Sequence, residues 1–459
     1  MKNANRMLAV ISGCALVMGA HCASGQDWPQ WRGPSRDGKA AAFTPPATWP
    51  KELTQKWKLS VGEGVATPSL VGDRLYVFAR QDGSEITRCL DAATGKELWQ
   101  DKYDSLGATG PASGFSGPRC SPAVANGKVV TLGVRGVLSC LDAASGKVLW
   151  RKEDFKGFWP SFYPSSSPII VDGLCIAQLG GKENGSRNGP DNSAIVAYDL
   201  ATGNEKWKFT SDSPAYASPV LMNIGGVKLI AAQTETRMLT VTAVDGKLAW
   251  ETPYVVQGRG YNAATPIVEG QTLIYCGSGR GATAVKIEKQ GDGFAGKELW
   301  KNPDNSVMFN SPVLKNGWLY GLTAGNELFC INAQDGKTAW TAPLTPPTAA
   351  AAGAEAQGAT ATAGAAEPGA GAGQGGGRRG GRGGGGRGGG GYGSIVDAGS
   401  VLLALTPASE LIVFKPGEKA YTELARIKVA DSPTHAYPVA SGNRLFVKDQ
   451  NSVTLWTVQ

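Results

Sequence analysis

The chain has 459 residues, of which 42% are hydrophobic and 18% are charged, so it can build a large core and is too poorly charged for general disorder. The formal charge of +7 falls to +5 without Lys2 and Arg6, and to +3 without the segment 346–393 as well. A body so close to neutrality excludes an electrostatic basis for specific nucleic-acid binding.

Residues 1–25 have the pattern of an export signal. After the basic start, an apolar run extends from Met7 to Ala20, and Ala23-Ser24-Gly25 offers small residues for cleavage. The run is too short to span a bilayer, and no later segment has the roughly 18 uninterrupted apolar residues of a membrane helix. We expect a periplasmic or secreted protein without a transmembrane segment. Cleavage at Cys14, which would give a lipoprotein, is the alternative.

A glycine followed four residues later by a tryptophan recurs along the chain, and such a repeat decides the fold. Gly417 with Tyr421 is a weakened copy, and Trp57 supplies a further aromatic without the glycine. The complete copies are Gly95 with Trp99, Gly146 with Trp150, Gly203 with Trp207, Gly246 with Trp250, Gly296 with Trp300, and Gly336 with Trp340.

Each repeat contains about four predicted strands. One strand ends at an aspartate, a short turn uses glycine where positive φ costs little, and the next strand carries the aromatic. Upstream lies another strand pair, typified by Ser121 to Leu132 with its Asn126-Gly127 turn. The marker aromatics from Trp57 to Trp340 are spaced 40 to 57 residues apart. Four strands at this spacing predict a β-propeller.

The two ends of the chain predict how the ring closes. After Tyr421 only three strands follow, and the segment Leu53 to Val61 can supply the missing outer strand. We therefore predict an all-β, eight-bladed propeller of four-stranded antiparallel blades, with seven blades as the alternative if one degenerate repeat is misread. An N-terminal arm, 26–52, precedes the closing strand and blades 1 to 6 in 53–345, and blades 7 and 8 occupy 394–459.

Residues 346–393 form an insert rich in alanine, glycine and arginine, which has no apolar periodicity and is expected to be disordered. It joins the outer strand of the sixth repeat to the inner strand of the seventh. It should therefore emerge on the same face as the polar loop Gly180 to Ala194, and its arginines can contact anionic envelope polymers.

The units of the form Asp-Ala-x-x-Gly-Lys-x-x-Trp resemble the repeat of pyrroloquinoline quinone (PQQ) dehydrogenases and of the related non-catalytic outer-membrane assembly propeller. The segment Trp28 to Pro34 also resembles the start of uncharacterised secreted PQQ-like propellers. The resemblance implies that the marker tryptophans are structural wedges between blades: Trp57, Trp99, Trp150, Trp207, Trp250, Trp300 and Trp340.

The same resemblance implies a cofactor site that this sequence lacks. Members that are enzymes hold their quinone under a disulfide of adjacent cysteines, beside a calcium ion and an aspartate base, and this chain has no adjacent cysteines. We expect free, buried thiols, no catalytic residue, no metal site and no cofactor, with PQQ as the alternative. His435 is the only histidine beyond residue 25, and no carboxylate partner can be assigned to it.

Propeller ligands bind where the innermost strands begin, at the mouth of the central channel. Here that position precedes a repeated Ser/Thr-Pro step, as at Ser121-Pro122 and Ser311-Pro312. Polar and aromatic residues near these steps either hold an anionic or sugar-like ligand or plug the channel: Arg119, Tyr163, Tyr216, Arg259, Tyr261, Asn262, Phe309, Asn310, His435 and Tyr437.

The sequence thus favours an exported, monomeric, non-catalytic scaffold that binds an envelope protein or polymer through its loop face. A quinoprotein dehydrogenase and a glycan-binding or small-molecule-binding module are the alternatives. Neither the partner nor the substrate follows from these residues, because one propeller architecture serves many functions.

Overall fold

The computed structural model describes residues 27–186, 188–256, 261–344 and 392–459. Within these ranges the strands form eight antiparallel sheets, each a meander of four strands, and one sheet carries a short fifth strand. The predicted all-β, eight-bladed propeller is therefore confirmed. The export signal of residues 1–25, Cys14 and nearly all of the insert 346–393 lie outside the described residues.

The first four blades run from the innermost to the outermost strand in chain order. The short fifth strand, β10 (Phe158–Trp159), pairs with the second strand of blade 3. Blade 1 contains β2 (Ser69–Val71), β3 (Arg74–Gln81), β4 (Ser84–Asp91) and β5 (Glu97–Asp104); blade 2 contains β6 (Ala123–Ala125), β7 (Lys128–Leu132), β8 (Leu138–Asp142) and β9 (Val148–Lys152); blade 3 contains β11 (Ile169–Val171), β12 (Leu174–Glu183), β13 (Asp191–Asp199) and β14 (Glu205–Thr210); blade 4 contains β15 (Val220–Ile224), β16 (Val227–Gln233), β17 (Arg237–Thr242) and β18 (Leu248–Pro253).

The last four blades repeat this order, and blade 8 takes its outer strand from the beginning of the chain. A 3₁₀ helix, Gly110–Phe115, lies between blades 1 and 2, and among the described residues no helix is long and apolar enough to cross a membrane. Blade 5 contains β19 (Ile267–Glu269), β20 (Thr272–Gly277), β21 (Gly281–Gln290) and β22 (Gly293–Asn302); blade 6 contains β23 (Val313–Lys315), β24 (Trp318–Leu322), β25 (Glu327–Asn332) and β26 (Thr338–Pro343); blade 7 contains β27 (Ser394–Ala398), β28 (Val401–Leu405), β29 (Glu410–Phe414) and β30 (Glu423–Lys428); blade 8 contains β31 (Val439–Ser441), β32 (Arg444–Lys448), β33 (Ser452–Thr457) and β1 (Thr54–Ser60).

Strand β1 closes the ring. It pairs antiparallel with β33, so that Trp57 lies opposite Leu455. The indole of Trp57 then reaches blade 1, where its N–H donates to the carbonyl of Ala92 at 3.2 Å. The closing strand thus covers an edge of the last blade that would otherwise expose unpaired backbone groups.

The marker tryptophan of one blade packs on the turn glycine of the next. Gly146 has φ +74°, and a Cβ added there would lie 2.4 Å from the ring of Trp99. The indole N–H of Trp99 donates to Ala143 in the same turn at 3.2 Å. The repeat spacing therefore reflects a contact between neighbouring blades. The same packing recurs for Trp57 on Gly95, Trp150 on Gly203, Trp207 on Gly246 and Trp300 on Gly336. Trp250 packs on Gly296 as well, but this glycine lies within the strand Gly293–Asn302 and not in the predicted turn.

Small buried side chains lie opposite the indoles within blades 1 to 6. Cys89 pairs with Trp99, Cys140 with Trp150, and Ala197 occupies the same place in blade 3. The thiols expected to be buried and free are so at all six described cysteines, Cys89, Cys120, Cys140, Cys175, Cys276 and Cys330. Burial raises the pKa of the Cys89 thiol to about 11, so this thiol behaves as an apolar packing group.

Candidate functional site

The Ser/Thr-Pro steps form a hydrogen-bonded belt around the channel. The backbone N–H of Ser121 donates to the hydroxyl of Ser167 at 2.9 Å, and the N–H of Ser167 donates to the hydroxyl of Ser218 at 2.9 Å. Each hydroxyl satisfies a backbone donor of the preceding blade. The same bond runs from Thr67 to Ser121, Ser218 to Thr265, Thr265 to Ser311, and Tyr437 to Thr67.

The N-terminal arm closes the channel beneath this belt. The arm pairs with the inner strands of separate blades, at Trp28 with Leu70 and at Lys39 with Asp397. Between these points Trp31 lies in the channel, and its indole N–H donates to the hydroxyl of Thr265 at 2.8 Å. The arm is therefore a floor under the channel mouth.

Two fully buried arginines hold the arm in place. The guanidinium of Arg32 donates to the carbonyl of Pro312 at 2.6 Å, and that of Arg36 donates to the carbonyls of Pro219 at 2.6 Å and Pro168. Burial lowers the pKa of Arg36 to about 9. Because the accepting carbonyls belong to different blades, the two guanidiniums connect strands across the channel.

One residue from every blade faces a cavity of about 260 Å³ above the floor, here called the mouth cavity. In seven blades this residue lies two positions before the belt residue, because the belt fixes the register of the entering chain. In blade 7, Tyr392 lies two positions before Ser394, whose hydroxyl has no hydrogen-bond partner among the described residues. Trp31 and Tyr437 complete the cavity from below, and Phe115 and Phe162 from the side. The eight residues in register are Val65, Arg119, Ser165, Tyr216, Ala263, Phe309, Tyr392 and His435.

The walls of the mouth cavity are aromatic rings that pack on one another. Tyr392 stacks on Phe309 with centroids 4.3 Å apart and meets the ring of His435 at 5.1 Å. Phe115 contacts His435 edge-on at 4.8 Å. Trp31 contacts Tyr437 in the same manner at 4.9 Å. Such a lining is apolar and is held in shape by contacts between its own members.

Among the described residues, the lining of the mouth cavity carries one positive charge, the guanidinium of Arg119. Burial lowers the pKa of this guanidinium. Arginine side chains nevertheless keep their charge in proteins. Burial also lowers the pKa of His435 to about 4, so the imidazole is neutral, and its Nδ1 has no hydrogen-bond partner among the described residues. No aspartate or glutamate stands among the described residues of the lining.

The structure divides the predicted site residues into two groups. Arg119, Tyr216, Tyr261, His435 and Tyr437 line the mouth cavity, together with Phe309. The second group lies behind it. The hydroxyl of Tyr163 bonds to Thr109, and the amides of Asn262 and Asn310 donate to the carbonyls of Thr234 and Leu322. Arg259 lies outside the described residues.

Several lining residues were not predicted from the sequence. Trp31 comes from the arm, Phe115 from the 3₁₀ helix and Tyr392 from the end of the insert. Tyr392 could have been found, because it stands two positions before Ser394 just as Phe309 stands two positions before Ser311. Phe115 and Trp31 occupy no repeated position.

The described lining does not suit a quinone with calcium. Calcium takes six to eight oxygen ligands, mainly carboxylates and carbonyls, and the lining offers neither a carboxylate nor a side-chain amide. Within the described part of the chain, no group of three or more His, Cys, Asp or Glu side chains could hold a metal ion.

Comparison with known proteins places these features in a family. Residues 82–342 and 295–459 match the family model described as outer membrane protein assembly factor BamB. The assembly factor of Yersinia pestis is 22% identical over 311 residues, which are 63% of this chain and 70% of that protein. The quinohemoprotein alcohol dehydrogenase of Comamonas testosteroni is 32% identical over 168 residues, 35% of this chain and 22% of that protein.

Solved structures agree in fold. The crystal structure of BamB from Moraxella catarrhalis has a TM-score of 0.57 at 13% identity, covering 88% of this chain and 97% of that one. The quinohemoprotein alcohol dehydrogenase ADHIIG of Pseudomonas putida has a TM-score of 0.59, also at 13% identity, over 94% and 80% of the two chains. The present chain spans only 22% and 26% of the two quinohemoprotein dehydrogenases that it matches in sequence. Since the family model matches from residue 82 to the last residue, the chain belongs to the family of outer membrane protein assembly factor BamB, a family of PQQ-like repeat propellers.

Proposed function

We propose that this protein is a non-catalytic binding module of the cell envelope. Its mouth face, formed by the loops that enter the inner strands, holds a protein or another extended ligand, and the mouth cavity receives one group of that partner. The family description and the basic, apolar start of the sequence support an envelope location.

The observation that carries the proposal is the mouth cavity itself. It is closed below by the arm, lined by mutually packed aromatic rings, and open on the loop face. Aromatic side chains dominate binding energy at protein interfaces because they bury large apolar areas with little loss of conformational freedom. A rigid aromatic cavity is therefore suited to anchoring a partner.

The same cavity is poorly equipped for turnover. General acid–base catalysis needs a titratable group near neutral pH beside its proton donor or acceptor. His435 has a pKa of about 4 and no bonded carboxylate among the described residues, and Arg119 does not exchange protons near neutrality. These properties favour binding over chemistry.

Photo-crosslinking from the two faces of the ring tests the proposal. The photoreactive analogue p-benzoylphenylalanine is placed at Phe309 in the mouth cavity or at Tyr421, which lies just before the outer strand of blade 7 and packs against Trp340 of blade 6. In cells, position 309 should give one predominant adduct that position 421 does not give. Identical adduct patterns at both positions, or no adduct at position 309, would contradict the proposal.

The rival function, a quinoprotein dehydrogenase, has its own test. Purified protein is titrated with PQQ and calcium while absorption and dye-linked alcohol oxidation are followed. We expect no stoichiometric spectral change and no oxidation. A stoichiometric change with turnover would replace the binding module by an oxidoreductase.

A further inference from the structure

Arg119 is a charged group in an apolar cavity, and no acidic side chain of the described residues forms an ion pair with it. Its guanidinium donates to the carbonyls of Phe115 at 2.8 Å, Ala112 at 3.3 Å and Gly117 at 3.4 Å, which lie in the 3₁₀ helix or directly after it. None of the ion pairs among the described residues includes Arg119. A guanidinium has five N–H donors, so N–H groups of Arg119 remain available after these carbonyls have accepted their hydrogen bonds.

The nearby acidic residue does not neutralise Arg119. Glu85 is completely buried, and its carboxylate accepts the hydroxyl of Tyr103 at 2.5 Å and the N–H of Val134 at 2.7 Å. Both carboxylate oxygens are therefore engaged between blades 1 and 2, behind the lining. Burial raises the pKa of Glu85, while its hydrogen bonds to Tyr103 and Val134 and the charges of Arg80 and Arg119 act in the opposite direction.

We infer that the mouth cavity binds an apolar or aromatic group that carries one carboxylate, which pairs with Arg119. This rests on the proposed function, because it assumes that the mouth cavity is where the ligand binds. The aromatic walls bury the apolar group, and the carboxylate supplies the counter-charge that a partly buried guanidinium lacks. A bidentate pair of this kind also orients the ligand.

The one charge that the described residues place in the lining disfavours other ligand classes. A cation would be attracted by the aromatic faces and repelled by Arg119 in the same small volume. A polyanion would bring several charges to a lining whose described residues offer one guanidinium and a neutral imidazole. A sugar is normally held by planar polar side chains as well as by rings, and the residues described in the lining include no carboxylate or amide side chain.

Two sources can supply this chemistry: the C-terminal residue of a protein partner and a free apolar acid. Calorimetric titration of the full-length protein separates them. One arm compares 3-phenylpropionate with 3-phenylpropionamide, which has the same shape without the charge. The other compares the peptide acetyl-Ala-Ala-Phe as a free acid with its C-terminal amide.

In the unaltered protein, at least one acid should bind about tenfold or more tightly than its amide, which corresponds to about 1.4 kcal/mol. Arg119→Gln should abolish that preference while the amide binds as before, and Arg119→Lys should retain part of it. The matched control is Arg135→Gln. Arg135 also lies over Tyr163, at 5.2 Å, but does not line the mouth cavity, so its loss should leave the preference unchanged.

Equal binding of acid and amide by the unaltered protein would overturn the inference without requiring any variant to fold. If Arg135→Gln and Arg119→Gln reduced the preference for the acid equally, the inference would also be overturned. The preference would then reflect the positive charge of the whole mouth face and not a pair with Arg119. Phe309→Ala separates this failure from failure of the proposed function. Suppose that acid and amide bind the unaltered protein equally and that Phe309→Ala weakens the binding of both. The mouth cavity is then a binding site, but for a ligand of another chemical class.

Discussion

Replacing the turn glycine Gly146 by alanine tests the packing that builds the ring. Its φ of +74° costs an alanine about 1 kcal/mol. The new Cβ would also lie 2.4 Å from the ring of Trp99, and such overpacking costs about 1–3 kcal/mol. We therefore expect Gly146→Ala to lower the free energy of unfolding by about 2–4 kcal/mol.

Gly127 in the same blade provides the matched control. Its φ is +68°, but nothing lies within 4 Å of a Cβ added there. Gly127→Ala should therefore cost only the backbone term, about 1 kcal/mol. The difference between the two variants isolates the contact between Trp99 of blade 1 and the turn of blade 2.

Urea unfolding followed by circular dichroism measures the free energy of unfolding of both alanine variants. The comparison is valid if the slope of this free energy against urea concentration is the same in each protein. Trp99→Leu completes the test, because a smaller side chain makes room for the new methyl group. In that background Gly146→Ala should cost no more than Gly127→Ala. Equal costs for the two alanine variants beside an intact Trp99, or no relief with Trp99→Leu, would refute the wedge between blades.

Three further predictions concern the arm, the mouth cavity and the closure. Arg36→Met leaves the carbonyls of Pro168 and Pro219 without their charged donor and should lower the free energy of unfolding by about 3 kcal/mol. The control is Arg444→Met, near the surface, which should change the urea midpoint little. The pKa of His435 is about 4 in the folded protein and 6.5 in the reference state, so the unfolded chain binds a proton first as the pH falls from 6.5 to 4. The free energy of unfolding should therefore fall by up to about 3 kcal/mol. His435→Phe should remove this loss when urea titrations at pH 7 and pH 4.5 are compared. If the variant were as acid-sensitive as the unaltered protein, the low pKa of His435 would be contradicted. Trp57→Ala should cost about 2–3 kcal/mol, because the half-buried indole packs on Gly95 across the closure, and an unaltered urea midpoint would argue against closure by β1.

The propeller could be predicted from the sequence because its defining contact repeats. The indoles of Trp99, Trp150 and Trp207 each pack on a glycine in the turn of the next blade. Because the same contact is needed between these blades, the same spacing of glycine and tryptophan recurs in the sequence. Closure followed from counting strands, and β1 pairs with β33 as expected. At these positions the residue types of the repeat predict the same contacts between blades that the folded chain forms.

The arm could not be predicted because its contacts do not repeat. Arg36 reaches carbonyls at Pro168 and Pro219 on other blades, and no spacing near the start of the chain encodes these partners. The site was predicted in part for a related reason. Tyr163 stands four positions before its belt residue and turns behind the lining, whereas Tyr216 stands two positions before and faces the cavity. Only the hydrogen-bonded belt reveals which register points inward.

Thiol labelling in the native envelope tests most directly whether the mouth face is the binding surface. The six described cysteines are buried and should not react, so a new cysteine reports its own surroundings. Ser113→Cys is exposed beside the mouth cavity, and Ala93→Cys is exposed in a turn on the opposite face. We predict that maleimide labels Ser113→Cys more slowly in envelope preparations than in purified protein, with Ala93→Cys equally reactive in both. Equal reactivity of Ser113→Cys in the two preparations would contradict binding at the mouth.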